Sequence, residues 1–180
     1  NTSAIIHNLR KVQELVNSNT DIIAVVKADA YGLGACEISP ILYSNGVRRF
    51  AVACLDEAFR LRKTLSDAWI LCMSETIGGD IESAVSSEIR LTVGSIEAAQ
   101  LISAVSCKAG KEAFIHCKID TGLHRIGFEP INAIKSIKQI SLLPFIQIEG
   151  IFTHLALHNG PSDELQYKCF EKVISDVKNA

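Results

Sequence analysis

The feature that most constrains this chain is an alternation. Short apolar runs take turns with longer amphipathic stretches from one end to the other. The opening segment, residues 3–17, places Ile5, Leu9, Val12, Leu15 and Val16 at helical spacing, with Thr2 or Ser3 expected as N-cap. Ile22 to Val26 follows as an unbroken apolar run, read as a fully buried strand that ends at Lys27. Gly32 and Gly34 then loosen the chain before a helix over 35–44. The same rhythm predicts strands at 50–53, 69–73, 90–93, 113–119 and 146–153. Helices are expected at 56–65, 80–87, 95–109, 130–140 and 163–178, with Ser95 as an N-cap and Pro130 near a helix start.

Strands alternating with helices argue for parallel βαβ units. About six such units are counted, where a closed TIM-type (β/α)8 barrel has eight. Two architectures are open at this point: a doubly wound open sheet, or most of a barrel. No linker, low-complexity tract or fixed-length repeat divides the sequence, so residues 1–180 are expected to form one domain.

Composition narrows the partners. Hydrophobic residues make up 48% and charged residues 21%, values suited to a packed core. The net charge of −2 gives no electrostatic reason to expect nucleic acid or an anionic membrane. The apolar runs are too short to span a bilayer, and no charged start leads into an apolar signal segment. The first residue is Asn1 rather than Met, so the chain is expected to begin inside a longer product. The six cysteines form no CxxC pair, which argues against a metal site or a disulfide framework. Cys54, Cys72 and Cys117 lie in apolar runs and are expected to be small buried hydrophobes in a reducing compartment.

Three strand ends carry residues with chemistry. The first is Ala24 to Gly34, AVVKADAYGLG. A sheltered lysine at a strand end loses its proton more readily, and a neutral amine can form a Schiff base. Taken alone, Lys27 reads first as a snorkelling cap on the strand. Gly32 and Gly34 do not complete a dinucleotide loop, because Glu37 stands where the third glycine would be. The second strand end is Lys118 to Phe128, KIDTGLHRIGF, a tight turn in which Arg125 could hold a carboxylate or phenolate bidentately. Alone it reads as a solvated charged turn. The third is Gly150 to Leu155, where His154 follows an apolar run and, alone, reads as a hydrogen-bonded core histidine. In a barrel all three ends open on one mouth, and a cationic, partly dry pocket there suits a small anionic carbonyl ligand.

With these segments in hand the sequence resembles the alanine racemase family. AVVKADAYGLG at 24–34 resembles that family's cofactor-lysine signature, KIDTGLHRIGF at 118–128 its second, and GIFTHLA at 150–156 its third. SAIIHNLRK near the start and AVACLDEAFRLR at 51–62 also fit. The resemblance runs the length of the chain. It implies a TIM-type (β/α)8 barrel of the racemase type with pyridoxal 5′-phosphate (PLP) as cofactor and no metal. It implies that Lys27 forms the internal aldimine and acts as one of two catalytic bases. Tyr31 would hydrogen-bond the cofactor phosphate. Arg125 would contact the phenolic oxygen and the substrate carboxylate. Lys118 would match a lysine that is often carbamylated and that orients the arginine. His154 would lie beside the pyridine ring. Leu123 stands where methionine is common.

The expected reaction is interconversion of L- and D-alanine, in a cytoplasmic homodimer that supplies D-alanine for peptidoglycan. Related racemases for serine, lysine or another amino acid, and a fragment that binds PLP without turnover, are the alternatives. The resemblance also implies two further barrel strands and a C-terminal β-domain that carries the tyrosine serving as second base. These 180 residues are accordingly expected to be inactive or weak alone.

Overall fold

The computed structural model describes residues 1–78, 80–157 and 159–179. Along the chain, helices and strands alternate. They are α1 (Thr2–Leu15), β1 (Ile23–Val25), α2 (Lys27–Gly32), α3 (Ala35–Ser44), β2 (Arg49–Val52), α4 (Leu55–Thr64) and β3 (Trp69–Glu75). There follow α5 (Ile81–Ser86), β4 (Arg90–Val93), α6 (Ile96–Ala109), β5 (Ala113–Lys118), α7 (Pro130–Ser141), β6 (Ile146–Phe152) and α8 (Pro161–Lys178). The expected strands and long helices are all present. One element, α2, is not foreshadowed by the sequence pattern.

The chain packs as two compact units: Asn1–Ser74 with Ser87–Ile89, and Glu75–Ser86 with Arg90–Ala180. In the first unit β1, β2 and β3 form parallel ladders, with Ala24 opposite Phe50 and Phe50 opposite Ile70. Phe50, Val52, Ala58, Leu61 and Ile70 are buried, so β2, β3 and α4 share one apolar core. Removing each large side chain from water stabilises the fold by about 1.5–3 kcal/mol. Arg62 of α4 ties the turn before β3 to Ser87 by donating to the carbonyls of Ala68 at 2.6 Å, Ser66 at 2.8 Å and Ser87 at 3.0 Å.

The strand β1 departs from expectation. It has three residues, and Ile23 and Val25 are 39% and 40% exposed rather than buried on both faces. It pairs on one side only, with β2, and their shared face is uncovered within this unit. Two smaller corrections concern a cap and a cysteine. Asn1, not Thr2 or Ser3, caps α1, its side chain accepting the Ser3 N–H at 3.0 Å. Cys54 is exposed, because it is the N-cap position where the chain leaves β2 for α4.

In the second unit β4, β5 and β6 also form parallel ladders, Leu91 lying opposite Ile115 and Ile115 opposite Ile148. Leu91, Val93, Ile102, Ile115, Ile119 and Ile140 are completely buried and fill the space between strands and helices. Ser95 caps α6 as expected by accepting the Ala98 N–H. A register shift lets Gly150, rather than Glu149, face His116. A side chain at 150 would meet the His116 ring at 2.7 Å, and Glu149, moved out of register, pairs with Arg90 at 3.1 Å and His116 at 3.2 Å.

Candidate active site

Val26 brings the chain off β1, its N–H bonded to the Ala51 carbonyl at 2.8 Å, and Lys27 is the next residue. The backbone then does something rare. Ala28, Asp29, Ala30 and Tyr31 all have positive φ, between 49° and 57°, with ψ between 36° and 50°. The element α2 is therefore a single left-handed turn built from residues with Cβ atoms. Such a conformation costs roughly 1–2 kcal/mol per residue, so tertiary contacts must hold it.

Those contacts are visible. Ala30 donates to the Val26 carbonyl at 3.0 Å and Gly34 to the Asp29 carbonyl at 2.9 Å. The Asp29 carboxylate accepts the Ala35 N–H at 2.8 Å, which ties the turn to the start of α3. Glu57 of α4 accepts the Ala28 N–H at 2.7 Å through one oxygen and the Ala53 N–H at 2.8 Å through the other. Within this scaffold Lys27 is half-buried and Tyr31 is 65% exposed. Lys27 Nζ lies 6.0 Å from the centre of the Tyr31 ring. No described carboxylate forms an ion pair with Lys27 Nζ.

The second unit builds its part of the site from the end of β5. Lys118 is completely enclosed, donating from Nζ to the Ile126 carbonyl at 2.9 Å and lying 5.9 Å from the Phe152 ring centre. Burial lowers its pKa; Asp120 opposes that shift and Arg125 adds to it. The segment 119–128 folds back on itself, with Phe128 donating to Lys118 O at 2.8 Å and Asp120 donating to Phe128 O at 3.0 Å. Asp120 then gathers the turn. Its carboxylate accepts the N–H groups of Gly122, Leu123, His124 and Arg125, each at 3.0 Å. Burial alone would raise the Asp120 pKa, but these four bonds outweigh it and hold the carboxyl below its usual range.

Arg125 is therefore fixed by its own backbone while its side chain is exposed. Thr153, just past β6, donates to the Ile119 carbonyl at 2.9 Å and so accepts from Thr121 at 2.8 Å. That pair fastens the 119–128 turn beside His154, which is exposed rather than a core histidine. The structure thus brings Lys27 and Tyr31 together in one unit, and Lys118, Arg125 and His154 onto adjoining strand ends of the other. Sequence reasoning missed Glu57, the scaffolding use of Asp120, and Thr153. The acidic first turn of α4 was the available signal for Glu57, and it reads as an ordinary helix start.

Parallel strands alternating with helices, in each of the two units, define the class: a protein of the (β/α)-barrel type. The model of the alanine racemase N-terminal domain matches residues 1–180. The chain belongs to the alanine racemase family. It is 46% identical over 153 residues to an alanine racemase of Clostridium tetani, covering 84% of this chain and 39% of that protein. It is 41% identical over 181 residues to one of Methanococcus maripaludis, covering 98% of this chain and 48% of that protein. The chain thus spans less than half the length of these two relatives.

Among solved structures, alanine racemase of Clostridium difficile in complex with cycloserine superposes with a TM-score of 0.91 at 32% identity, over 97% of this chain and 49% of that one. A histidine racemase of Leuconostoc mesenteroides superposes at 0.84 with 27% identity, over 94% of this chain and 46% of that one. The expected barrel architecture is confirmed by these likenesses and by six strands alternating with helices, and the doubly wound alternative falls away.

Proposed function

We propose that this chain is the N-terminal, cofactor-holding domain of a PLP-dependent alanine racemase. The observation that carries the reading is Lys27, presented at a strand end on a strained left-handed turn without a carboxylate partner among the described residues. The donor set fits the cofactor. PLP needs an amine for its aldehyde, a donor for its phosphate and a cation near its phenolate; Lys27, Tyr31 and Arg125 are an amine, a phenol and a guanidinium.

When bound, PLP supplies an electron sink for the pair left behind as the substrate Cα–H bond breaks. Lys27 Nζ would hold the cofactor and would take or return the substrate α-proton on one face. Tyr31 donates its hydroxyl proton toward the phosphate. Arg125, whose backbone N–H is held by Asp120, would orient the substrate carboxylate and the cofactor phenolate. His154 borders the ring. The second proton-transferring group would be the tyrosine that the family resemblance implies, reaching the site from the partner of a head-to-tail homodimer.

Lys118 is proposed as a carbamylated lysine. Its enclosed amine, its pKa lowered by burial, would attack carbon dioxide from the unprotonated form, making an N–C bond and releasing a proton. The resulting anion would turn the Lys118–Arg125 repulsion into attraction. A cytoplasmic location belongs to the same reading; no helix among the described residues is long and apolar enough to cross a membrane. The likeness to histidine racemase supports a second reading, a racemase of another amino acid on the same scaffold.

The test is borohydride reduction of the full-length protein with PLP, followed by peptide mapping and chiral analysis of alanine, serine, lysine and histidine. Cofactor trapped on Lys27 with alanine racemised fastest is the expected result. Cofactor trapped elsewhere, or near-normal turnover by Lys27→Ala, would overturn the assignment.

A further inference from the structure

Glu57 is the third residue of α4, and a carboxylate there commonly reaches back to a free N–H at the helix start. Its Oε2 accepts the N–H of Ala53 at 2.8 Å, the residue before the N-cap Cys54. The other oxygen does something a cap does not require. It spans 29 residues of sequence to take the Ala28 N–H at 2.7 Å. Ala28 is the residue after Lys27 and the first of the four left-handed residues.

We propose that Glu57 is a positioning residue that locks the left-handed turn and thereby aims Lys27 and Tyr31. The inference rests on the reading that Lys27 carries PLP. The local sequence, Lys-Ala-Asp-Ala-Tyr, contains no glycine until Gly32 and favours right-handed φ throughout. An acceptor fixed by α4 holds the Ala28 N–H in place from outside. Without it Ala28 relaxes to negative φ and the peptide that follows Lys27 rotates. Lys27 and Tyr31, at the two ends of the turn, then lose their common frame.

The chemistry selects a glutamate. Two N–H groups converge from the ends of β1 and β2, so two acceptor oxygens are needed on one side chain. Glutamine offers one oxygen and turns an NH2 against the other N–H. Aspartate is one methylene too short to bridge both. A residue that merely capped α4 would tolerate glutamine, since capping boxes use either side chain. Glu57→Gln therefore separates the two roles.

The experiment uses the full-length protein as wild type, Glu57→Gln, Glu57→Asp and Asp56→Asn, the last altering the same helix turn without touching the clamp. Two quantities are read at a temperature well below melting. One is PLP trapped on Lys27 by borohydride as a function of PLP concentration. The other is amide hydrogen exchange in the peptide covering 26–34 without PLP. Glu57→Gln and Glu57→Asp are expected to weaken PLP retention and to speed exchange at 28–31, each at least tenfold, while Asp56→Asn matches wild type. Wild-type retention and exchange in Glu57→Gln would reduce Glu57 to a helix cap and overturn the inference. Should Glu57→Gln fail to fold, Glu57→Asp, which keeps one bond, is judged by the same two readouts. If wild type traps no PLP on Lys27, the cofactor reading fails by itself. The exchange arm then decides for Glu57: faster exchange upholds the lock and unchanged exchange rejects it.

Discussion

Lys118 donates from Nζ to the carbonyl of Ile126 at 2.9 Å, and through this bond a fully enclosed amine ties the end of β5 to the returning arm of the 119–128 turn. Burial lowers the Lys118 pKa, with Asp120 opposing and Arg125 assisting. The sign follows directly. Between the lowered folded value and the unfolded value of about 10.4, the unfolded chain binds a proton that the folded chain has released. The burden of the buried charge is present at lower pH and is lifted as pH rises through that window. Lys118→Met has no such titration. Denaturant unfolding of both proteins between about pH 7 and pH 10 is expected to show wild type gaining on the variant as pH rises. A difference that stays flat would mean that Lys118 is not a desolvated amine, or that it is already carbamylated. A bicarbonate-dependent mass increase at Lys118 identifies the second case.

Asp120 works in the opposite sense. Its carboxylate takes four backbone N–H groups, and although burial opposes the charge, those bonds hold its pKa down. A depressed carboxyl stabilises the fold above the unfolded pKa of about 3.9 and loses that contribution as pH falls through the folded value. Asp120→Asn replaces an acceptor oxygen by an NH2 group facing N–H donors. A loss of about 1–2 kcal/mol at neutral pH is expected, since the outer two amides can turn to water. The gap between the proteins should close on acidification below about pH 4. In the full-length enzyme the same variant should lower turnover by freeing Arg125. Equal stability at neutral pH would show that the turn does not depend on the carboxylate.

Gly127 is required by space. Its φ is 130°, and a Cβ there would stand 2.8 Å from Asp120 N, 2.9 Å from Lys118 O and 3.0 Å from Ile119 C. All three are backbone atoms of the paired strand, so none can swing away. Gly127→Ala is expected to cost at least ~3 kcal/mol, or to open the Asp120–Phe128 pairing. Thermal unfolding gives the first quantity, and exchange of the Phe128 amide reads the second. Gly110, with nothing within 4 Å of its added Cβ and φ at 63°, provides the contrast: strain without collision, and a smaller loss.

The strands were legible because short apolar runs leave few alternatives to a buried sheet, as at Ile70–Leu71–Cys72. Lys118, Arg125 and His154 were legible as neighbours because the adjacent parallel strands β5 and β6 end beside one another. The left-handed turn was not. Alanine is the best right-handed helix former, and the acceptor that takes the Ala28 N–H comes from Glu57, outside the local sequence. Asp120 could be quoted as part of a motif, but its four N–H partners appear only once the turn has closed. Cys54 was misread because an apolar neighbourhood in sequence does not say which residue leaves the strand.

The cysteines give a direct check on packing. Cys36, Cys54 and Cys107 are exposed, Cys169 is intermediate, and Cys72 and Cys117 are buried. Burial pushes the Cys117 thiol up to about 12. Only the thiolate attacks an alkylating reagent. At about pH 8, roughly one Cys117 in ten thousand would be thiolate, against about a quarter of an ordinary exposed thiol. Steric closure adds to that handicap. Timed alkylation of the native chain with peptide mapping is expected to label Cys36, Cys54 and Cys107 first and Cys169 more slowly. Cys72 and Cys117 should react at the rate of global unfolding, and promptly in denaturant. Cys117 labelled as fast as Cys54 in the native protein would mean that β5 does not pack its apolar face as described, and the enclosed seat of Lys118 beside it would fall with it.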